Sequence, residues 1–378
     1  MKVALYHPWV YLRSGVERWM LEVIERSRHD WVVYTHHYDP AGTYPEVSLL
    51  PVTELSPRIS VRRSMGPLLQ AASTIARTSL PDDGTRAVLV SSEGFGDLAT
   101  LRARIPALAY CHTPLKILHD PAASALVRAH SPARRLAMAT VGPGFEAVDR
   151  LAWRRYRHVF VNSTETLARV EKAGLRPSGP VEVLEPAVSE AWFPAQLSGA
   201  RDAVFLYAGR LMWQKNIELA IDALRLLGGG SRLIIAGTVD EKSRGYVADL
   251  RARAAGLPVT FEICPSDDRL RELYSLATAL LFTPRNEDFG MVVLEAMAAG
   301  TPVLAVDAGG PRSTVAHGVT GWLLEPEASV FAKQMASVVA DPPGQAVREA
   351  AQRAARARSW RAHVDRLDDV VEQVIRAG

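Results

Sequence analysis

The chain has 378 residues, of which 48% are hydrophobic and 22% are charged, as in ordinary globular proteins. This length exceeds what one hydrophobic core usually serves, so we expect two domains. The formal net charge of +3 is too small to indicate a nucleic-acid partner, and we predict none.

The cysteine count and the N-terminus bear on the cellular compartment. Cys111 and Cys264, the two cysteines, are far apart in sequence, so we expect no disulfide framework. No apolar run approaches the roughly 20 residues that a membrane span needs. Residues 1–8 also lack the apolar run of a signal peptide. We therefore predict a cytoplasmic protein, with a peripheral contact at the inner face of the membrane left open.

Short runs rich in Val, Ile and Leu alternate with helical stretches rich in Ala, Leu, Glu and Arg. The predicted strands are residues 3–6, 31–35, 87–90, 107–111, 158–162, 181–184, 203–207, 232–236, 259–263, 279–282 and 302–306. Continuous apolar strands that alternate with helices are typical of parallel sheets covered on both faces. The predicted fold class is therefore α/β.

A segment without clear periodicity, residues 190–202, divides the chain into two similar halves. Each half is predicted to be a doubly wound α/β unit, and ligands bind at the carboxyl ends of the strands in such units. We place the domains at residues 1–195 and 196–358. A charged amphipathic helix within residues 359–378 is predicted to pack back on the first domain.

The strongest functional signal is the segment 283–303, TPRNEDFGMVVLEAMAAGTPV. A predicted strand ends at Thr283 and a helix starts near Gly290, where free backbone N–H groups can bind anions and hydroxyls. Glu287 precedes this helix, and Glu295 lies about two turns along it, where a carboxylate could bind a ribose diol. Two glutamates at this spacing are often only solvated side chains. The surrounding Glu-Asp-Phe-Gly turn and the helix start favour a binding site.

Arg210 and Lys215 follow the first predicted strand of the second half. Two cations at the carboxyl end of a strand suit a diphosphate, with Arg210 as a planar fork and Lys215 as a point charge. Their charge would also stabilise a diphosphate as it leaves. A surface arginine and a helix-start lysine are the ordinary alternative, but the turn at Gly209 accompanies this pair.

Two weaker signals follow strands of the first half. Gly15, in the segment RSGVER, would let phosphates or an acceptor approach the start of the next helix, and a plain turn is equally compatible. His112 ends the strand 107–111 in the segment YCHTPLK. A single histidine at a strand end is more often structural than functional.

Several other chemistries lack their sequence signatures. No Asp-x-Asp occurs, so the paired carboxylates of a metal-dependent sugar-nucleotide enzyme are missing. The histidines show no metal-ligand spacing. The sequence also has neither a Gly-x-Gly-x-x-Gly element for a dinucleotide nor a P-loop for ATP. We therefore predict no metal and no cofactor.

With these residues in hand, the chain resembles glycosyltransferase family 4, retaining enzymes of GT-B fold with two Rossmann-like domains that face each other across a cleft. The elements that match in family order are the Ser-Gly-Val-Glu-Arg loop, the His-Thr-Pro element, Arg210 with Lys215, and Glu287 with Glu295. The resemblance covers nearly the whole chain. It is specific in the second half and looser over residues 40–155.

The resemblance implies a role for each matching residue. The first domain would take the acceptor and the second the nucleotide sugar. The residues implied in catalysis are Glu287 at the transferred sugar, His112 beside it, and Arg210 and Lys215 at the donor diphosphate. The donor site would be completed by Gly15, Ile263, Asp288, Phe289, Gly290, Met291, Val292 and, at the ribose, Glu295.

The resemblance also implies a reaction that keeps the anomeric configuration and needs no metal. The leaving phosphate itself would accept the proton in a same-face displacement, so no protein nucleophile is assigned. One departure affects the phosphate side of the site: Ser14 stands where the family usually has the first of two glycines.

Within the family, the likeness is closest to mannosyltransferases that use GDP-mannose, including those of the dolichol pathway. The segments that carry it are residues 34–39, 287–290, 307–311 and 320–323. We expect a hexose, with mannose favoured, to move from a nucleotide-diphosphate donor, with GDP-mannose favoured over a UDP-sugar. The acceptor would be a glycan, a lipid-linked molecule or a natural product.

Alternatives remain open at this point. A GT-B-fold sugar-nucleotide epimerase, a phosphorylase or a non-catalytic binding subunit would share much of this sequence. A basic amphipathic helix could also dock on a membrane, although a solvated helix face is the more common reading. Its residues would be Arg58, Arg62, Arg63, Met65, Leu68 and Leu69, with further charge from Arg154, Arg155 and Arg157.

Overall fold

The computed structural model describes residues 1–62, 64–81, 83–120, 132–194 and 203–377, with the backbone alone over 132–138. The chain divides into two compact units. Unit 1 comprises Met1–Pro186 with Trp360–Gly378, and unit 2 comprises Ala187–Ser359. The predicted boundary at residues 195 and 196 lies outside the described residues. Val188 already packs in the core of unit 2, with Trp192 and Phe193 against it.

The described strands account for the α/β class predicted from the apolar runs. They are β1 (Lys2–Tyr6), β2 (Asp30–Thr35), β3 (Val52–Glu54), β4 (Val88–Ser92), β5 (Ala107–Cys111), β6 (Tyr156–Val161), β7 (Val181–Val183), β8 (Val204–Ala208), β9 (Arg232–Gly237), β10 (Val259–Ile263), β11 (Ala279–Phe282), β12 (Val303–Val306) and β13 (Gly321–Leu324).

The helices lie between most of these strands. They are α1 (Gly15–Arg26), α2 (Met65–Ala76), α3 (Lys116–His119), α4 (Pro132–Trp153), α5 (Thr164–Lys172), α6 (Glu218–Leu227), α7 (Arg244–Arg253), α8 (Asp267–Leu276), α9 (Met291–Ala298), α10 (Pro311–Thr314), α11 (Ala328–Ala340), α12 (Gln345–Arg356) and α13 (Trp360–Ala377). Short 3₁₀ helices are Pro45–Leu49, Phe95–Arg102, Glu190–Trp192, Trp213–Lys215 and Glu241–Ser243.

Each unit is built on one parallel sheet. In unit 1 the described strands run in the order β3-β2-β1-β4-β5-β6-β7, and in unit 2 in the order β10-β9-β8-β11-β12-β13. All pairings within these sheets are parallel. Parallel pairing turns the carboxyl ends of adjacent strands toward one edge, which is where such sheets bind ligands.

β8, a central strand of the unit 2 sheet, is apolar along its whole length, and both of its faces are buried. In β8, Val204, Leu206 and Ala208 pack on one side of the sheet, while Phe205 and Tyr207 pack in a separate cluster on the other. This is the alternation that the period of a strand imposes. It explains why a continuous apolar run predicted this strand correctly.

Two outer strands were missed by the sequence prediction. β3 and β13 lie at the edges of their sheets, where a strand has a neighbour on one side only. Thr53 and Glu54 of β3 are exposed, and β13 begins with a glycine and is only partly buried. Strands of this kind carry no continuous apolar run, so composition does not reveal them.

The predicted basic amphipathic helix is wrong at its start. α2 begins at Met65, so Arg58 and Arg62 precede it, and Arg63 lies outside the described residues. Arg58 is held elsewhere: it pairs with Glu54 and donates to the carbonyl of Tyr38 at 3.0 Å. None of the described helices combines the length and the apolar character needed to cross a membrane.

The terminal helix α13 belongs to unit 1, where it contacts α1. The contact is anchored by Asp368, whose side chain is 1% exposed. This carboxylate accepts hydrogen bonds from the Ser27 hydroxyl at 2.7 Å and from the Arg28 backbone N–H at 2.9 Å. The next residue, Asp369, is 56% exposed and pairs with the Arg28 guanidinium.

We expect Asp368→Ala to lower the free energy of unfolding by about 2 kcal/mol, because the Ser27 hydroxyl and the Arg28 N–H lose a buried, charged acceptor. Asp369→Ala is the matched control and should cost much less, because an exposed ion pair is screened by solvent. Chemical denaturation of both variants measures the difference. Equal losses would contradict the anchoring role of Asp368.

Candidate functional site

Three predicted site residues of unit 2 follow neighbouring strands at one edge of its sheet. Arg210 and Lys215 follow β8, and Glu287 follows β11. β8 pairs with β11, which in turn pairs with β12, and all three run in parallel. Their following loops therefore leave the sheet side by side at its carboxyl edge.

The structure brings Lys215 and Glu287 into direct contact. The Lys215 ammonium donates a short hydrogen bond to one carboxylate oxygen of Glu287. The two side chains are 20% and 19% exposed, so the pair is sheltered and can still be reached by a ligand. Residues 72 positions apart in the sequence thus form one ion pair.

A second link ties the Lys215 loop to the end of β11. The Thr283 hydroxyl donates to the backbone carbonyl of Lys215 at 2.8 Å, and the Asn216 side-chain amide donates to the carbonyl of Thr283 at 3.2 Å. Asn216 has a φ of 50°, a left-handed conformation that asparagine tolerates better than most residues. These bonds fix the backbone that carries the ammonium.

Arg210 is exposed at the turn that follows β8. Its carbonyl accepts a hydrogen bond from the buried Tyr207 hydroxyl at 3.1 Å. Burial, and then the nearby Glu287 carboxylate, raise the pKa of Tyr207 well above its usual range, so its proton stays in place. Gly237 makes room for the turn, because a Cβ there would lie 1.6 Å from the carbonyl oxygen of Gly209.

The predicted helix start is confirmed in α9. Gly290 is the residue before its first turn and has a φ of 90°, which favours glycine. A Cβ on Gly290 would also lie 2.9 Å from the ring of Phe282. The N–H groups of Met291 and Val292 belong to the first helical turn, whose N–H groups have no partner within a helix.

Two glycines after β12 pack closely against the backbone of the Glu287 loop. A Cβ on Gly309 would lie 2.3 Å from the Glu287 carbonyl oxygen, and one on Gly310 would lie 2.2 Å from the Phe289 carbonyl oxygen. The Gly310 N–H donates to the Glu287 carbonyl at 3.0 Å. Sequence reasoning quoted these glycines only as part of a likeness. The signal that could have revealed their role is a double glycine directly after a buried strand.

The other predicted donor-site residues of unit 2 are more dispersed. Glu295 accepts a hydrogen bond from the Tyr274 hydroxyl of α8 at 2.9 Å, and burial raises the pKa of Tyr274 well above its usual range. Asp288 is half-buried and Phe289 is buried. Ile263 is 42% exposed at the end of β10, which lies at the far end of the sheet from β12 and β13.

His112 and Gly15, the remaining predicted residues, belong to unit 1. His112 follows β5, and its ring Nε2 lies 2.9 Å from the Ser91 hydroxyl. Its carbonyl accepts from the Asn162 side chain at 2.9 Å. Burial, with the nearby His7 and His363, holds the pKa of His112 well below its usual range, so the ring is neutral.

Gly15 is the first residue of α1, and Ser14 caps the helix in front of it. The Ser14 hydroxyl accepts from the Val16 N–H at 3.2 Å and donates a short bond to Glu17. Glu17 also accepts from the Leu12 backbone N–H at 3.3 Å, so the serine cap and this glutamate tie the loop before α1 to its first turn. Ser14, the departure from the two-glycine loop, therefore has a local structural role.

The described residues contain no cluster of three or more His, Cys, Asp or Glu side chains placed to hold a metal ion.

The chain is similar in sequence to known glycosyltransferases. Residues 188–358 match the family model described as "Glycosyl transferases group 1". The chain is 32% identical to human alpha-1,3/1,6-mannosyltransferase ALG2 over 199 residues, about half of each protein. It is 26% identical to the Neurospora crassa protein of that name over 400 residues, covering 89% of this chain and 82% of that one. The mouse protein is 27% identical, covering 90% and 88%.

Solved structures share the fold across the whole chain. Sucrose-phosphate synthase from Thermosynechococcus elongatus has a TM-score of 0.76 at 19% identity, with all of both chains covered. Anabaena HepE in complex with UDP and glucose has a TM-score of 0.74 at 19% identity, covering 98% of this chain and 99% of that one. The predicted GT-B fold with two Rossmann-like domains is confirmed.

Gly309 offers a sharp test of how the Glu287 loop is supported. Gly309 and Gly318 have similar left-handed φ values, 66° and 76°, so alanine at either costs about 1–2 kcal/mol in backbone strain. An alanine at Gly318 meets nothing within 4 Å, whereas one at Gly309 collides with the Glu287 carbonyl. We therefore expect Gly309→Ala to lower the free energy of unfolding more than Gly318→Ala. Indistinguishable denaturation curves for the two variants would contradict the close packing of Gly309 against the Glu287 loop.

Proposed function

We propose that this glycosyltransferase, whose residues 188–358 match the family model "Glycosyl transferases group 1", moves mannose from GDP-mannose to an acceptor hydroxyl. The proposed reaction retains the anomeric configuration and needs no metal ion. The observation that carries the proposal is the Lys215–Glu287 pair at the carboxyl edge of the sheet, within the matching domain.

The choice of mannose rests on relatives that align along most of their length. The fungal and mouse proteins are named alpha-1,3/1,6-mannosyltransferases. The structure of HepE holds UDP and glucose on a similar fold, so the fold itself also accommodates a uridine nucleotide. The names of the relatives favour mannose, and we propose GDP-mannose as the donor. UDP-glucose is the natural competitor in any assay. The acceptor class remains a glycan, a lipid-linked molecule or a natural product.

In the proposed mechanism, Lys215 and Arg210 bind the donor diphosphate. Lys215 is already paired with Glu287, so a bound phosphate would share an ammonium that the carboxylate holds in place. Arg210 is exposed on the same loop and adds a second cation. Fixed cations near a leaving diphosphate stabilise the negative charge that develops as the bond to the sugar breaks.

Glu287 is proposed to hold hydroxyls of the transferred sugar, with the N–H groups at the start of α9 beside it. Glu295 would bind the ribose, and Asp288 and Ile263 would complete the nucleotide site. His112 would contact the donor sugar and Gly15 the phosphate side. As the anomeric C–O bond breaks, an oxygen of the leaving phosphate takes the proton of the acceptor hydroxyl, which attacks from the same face. No protein nucleophile enters this scheme.

We expect Lys215→Ala and Glu287→Ala each to lower the transfer rate by about 10²–10³, because each removes a group that stabilises developing charge or orients the sugar. Asp222→Ala is the matched control, since it breaks an Asp222–Arg253 ion pair on helices α6 and α7 of the same unit. The assay measures nucleotide diphosphate released from GDP-mannose or UDP-glucose, with and without acceptor, and the anomeric configuration of the product. Full activity in both site variants would refute the assignment.

The same assay separates the alternative reactions. Isomerised sugar nucleotide formed without acceptor would indicate an epimerase, and a sugar 1-phosphate product would indicate a phosphorylase. Donor binding without turnover over a broad acceptor panel would indicate a binding subunit. We expect EDTA to leave the rate unchanged. Loss of activity with EDTA and recovery with Mn²⁺ would argue for a metal-dependent mechanism.

A peripheral membrane contact is proposed for one surface of unit 1. Val141, Val148 and Leu151 of α4 are 39%, 41% and 52% exposed, and their spacing of seven and three residues puts them on one helical face. The exposed Arg150 and Arg154 lie beside this stripe in sequence. Exposed apolar side chains with neighbouring cations suit the surface of an anionic membrane.

We expect the chain to sediment with vesicles that contain anionic phospholipid and much less with neutral vesicles. Val148→Glu with Leu151→Glu should abolish this binding, because two carboxylates would have to enter the headgroup region. Leu226→Glu is the control, since Leu226 is 61% exposed on unit 2. Equal sedimentation of the α4 variant and the wild type would refute membrane binding by this face of α4.

A further inference from the structure

The ring of His112 is held by a buried hydroxyl from the neighbouring strand. Ser91 lies near the end of β4, which pairs in parallel with β5, and His112 directly follows β5. The Ser91 hydroxyl oxygen and the His112 Nε2 are 2.9 Å apart. The His112 backbone N–H also donates to the carbonyl of Ser92 at 2.9 Å, so the ring and its backbone are both tied to β4.

The direction of this hydrogen bond follows from where the hydroxyl proton can go. Ser91 is 0% exposed, and within the described part of the chain its side chain bonds to His112 Nε2 alone. If Nε2–H were the donor, the Ser91 proton would be buried without an acceptor, which costs about 1–3 kcal/mol. Ser91 therefore donates to Nε2. A neutral imidazole whose Nε2 accepts carries its proton on Nδ1.

Aromatic neighbours fix the plane of the same ring. Trp19 and Tyr110 each approach it edge-on, with ring centroids 5.3 Å and 5.0 Å away. Trp19 also stacks on Tyr110 at 4.2 Å, so these two side chains form one rigid wall. The His112 ring has little freedom to rotate, and its Nδ1–H keeps a fixed direction.

The wall is itself anchored to the terminal helix α13. The indole N–H of Trp19 donates to Nε2 of His363 at 2.9 Å. Nδ1 of His363 donates to the carbonyl of Glu185 at 2.9 Å, and because a carbonyl can only accept, this histidine has its proton on Nδ1. Burial lowers the pKa of His363 to about 4, so the arrangement persists at neutral pH.

We propose that Ser91 is a positioning residue that keeps His112 in its Nδ1–H form, so that the ring offers an N–H donor to an oxygen of the sugar nucleotide. This inference rests on the proposed function, in which His112 contacts the donor sugar. It adds the chemistry of that contact: a neutral, directed N–H suits a sugar hydroxyl or a phosphate oxygen as acceptor. Among the described residues, the Ser91 hydroxyl is the group that favours the ring proton on Nδ1.

The primary test observes the proton itself. Nitrogen NMR of the full-length chain labelled with ¹⁵N-histidine distinguishes the two neutral forms of each of its ten histidines from the imidazolium. Comparison with His112→Gln assigns the resonances of His112. We expect a protonated Nδ1 and an unprotonated Nε2 at neutral pH. An Nε2–H form or an imidazolium would overturn the proposal, and this measurement needs no change at Ser91.

Substitution of Ser91 tests whether its hydroxyl affects the His112 tautomer and the transfer rate. We expect Ser91→Ala to populate the Nε2–H form and to lower kcat/KM by about tenfold, the effect of one lost hydrogen bond. Ser91→Thr keeps the hydroxyl and should restore both the NMR signature and the rate. Ser92→Ala, which removes an equally buried hydroxyl one residue away, should leave the His112 spectrum unchanged.

The outcomes separate this inference from the proposed function. An unchanged His112 spectrum and rate in folded Ser91→Ala protein would overturn the role of Ser91. Full transfer activity together with an Nε2–H signature in the wild type would also overturn it, while leaving the enzyme assignment intact. A wild type with the Nδ1–H signature but no transfer from any sugar nucleotide would refute the proposed function alone.

Discussion

The ion pair between Lys215 and Glu287 is the contact on which the unit 2 site depends. Its two charges come from loops far apart in sequence, and they meet because β8 and β11 are parallel neighbours. Each side chain keeps only about a fifth of its full solvent exposure. Either charge without its partner would therefore carry a large desolvation penalty. Together they form a nearly neutral group. In the proposed function, a diphosphate would therefore bind an ammonium whose direction the carboxylate has already set.

The pair forms where the loops after β8, β11 and β12 approach one another closely. Glycines occur around it because a Cβ at these positions would collide with a neighbouring backbone. Gly237 leaves room for the turn before Arg210, and Gly309 and Gly310 leave room for the backbone from Glu287 to Phe289. Hydrogen bonds between these loops use main-chain atoms: Thr283 donates to the Lys215 carbonyl, and Gly310 donates to the Glu287 carbonyl. Neither of these hydrogen bonds uses the charged end of Lys215 or Glu287.

The sequence was most informative where local composition reflects burial. β8 and β11 are apolar on both faces, so their runs predicted them, whereas the exposed Thr53 and Glu54 concealed β3. Glu287 and Lys215 were identified from motifs at strand ends. The Thr283–Lys215 hydrogen bond could not be predicted, because a side chain that bonds to a main-chain carbonyl 68 positions away leaves no local sequence pattern. Arg58 and Arg62 were assigned to an amphipathic helix with Met65, Leu68 and Leu69, although neither charge nor an apolar stripe fixes where a helix begins.

The two units supply different kinds of polar group. Unit 2 offers permanent charge, with Arg210 in excess of the neutralised Lys215–Glu287 pair, which suits a dianionic diphosphate. The histidine of unit 1 is neutral, since burial holds the pKa of His112 well below its usual range. The proposed contact of His112 with the donor sugar calls for a directed donor and not for charge, because a charge that binds substrate and transition state equally gains little in rate. The Ser91 hydroxyl matters in this account because, at a neutral imidazole, the placement of one proton decides whether the ring donates or accepts.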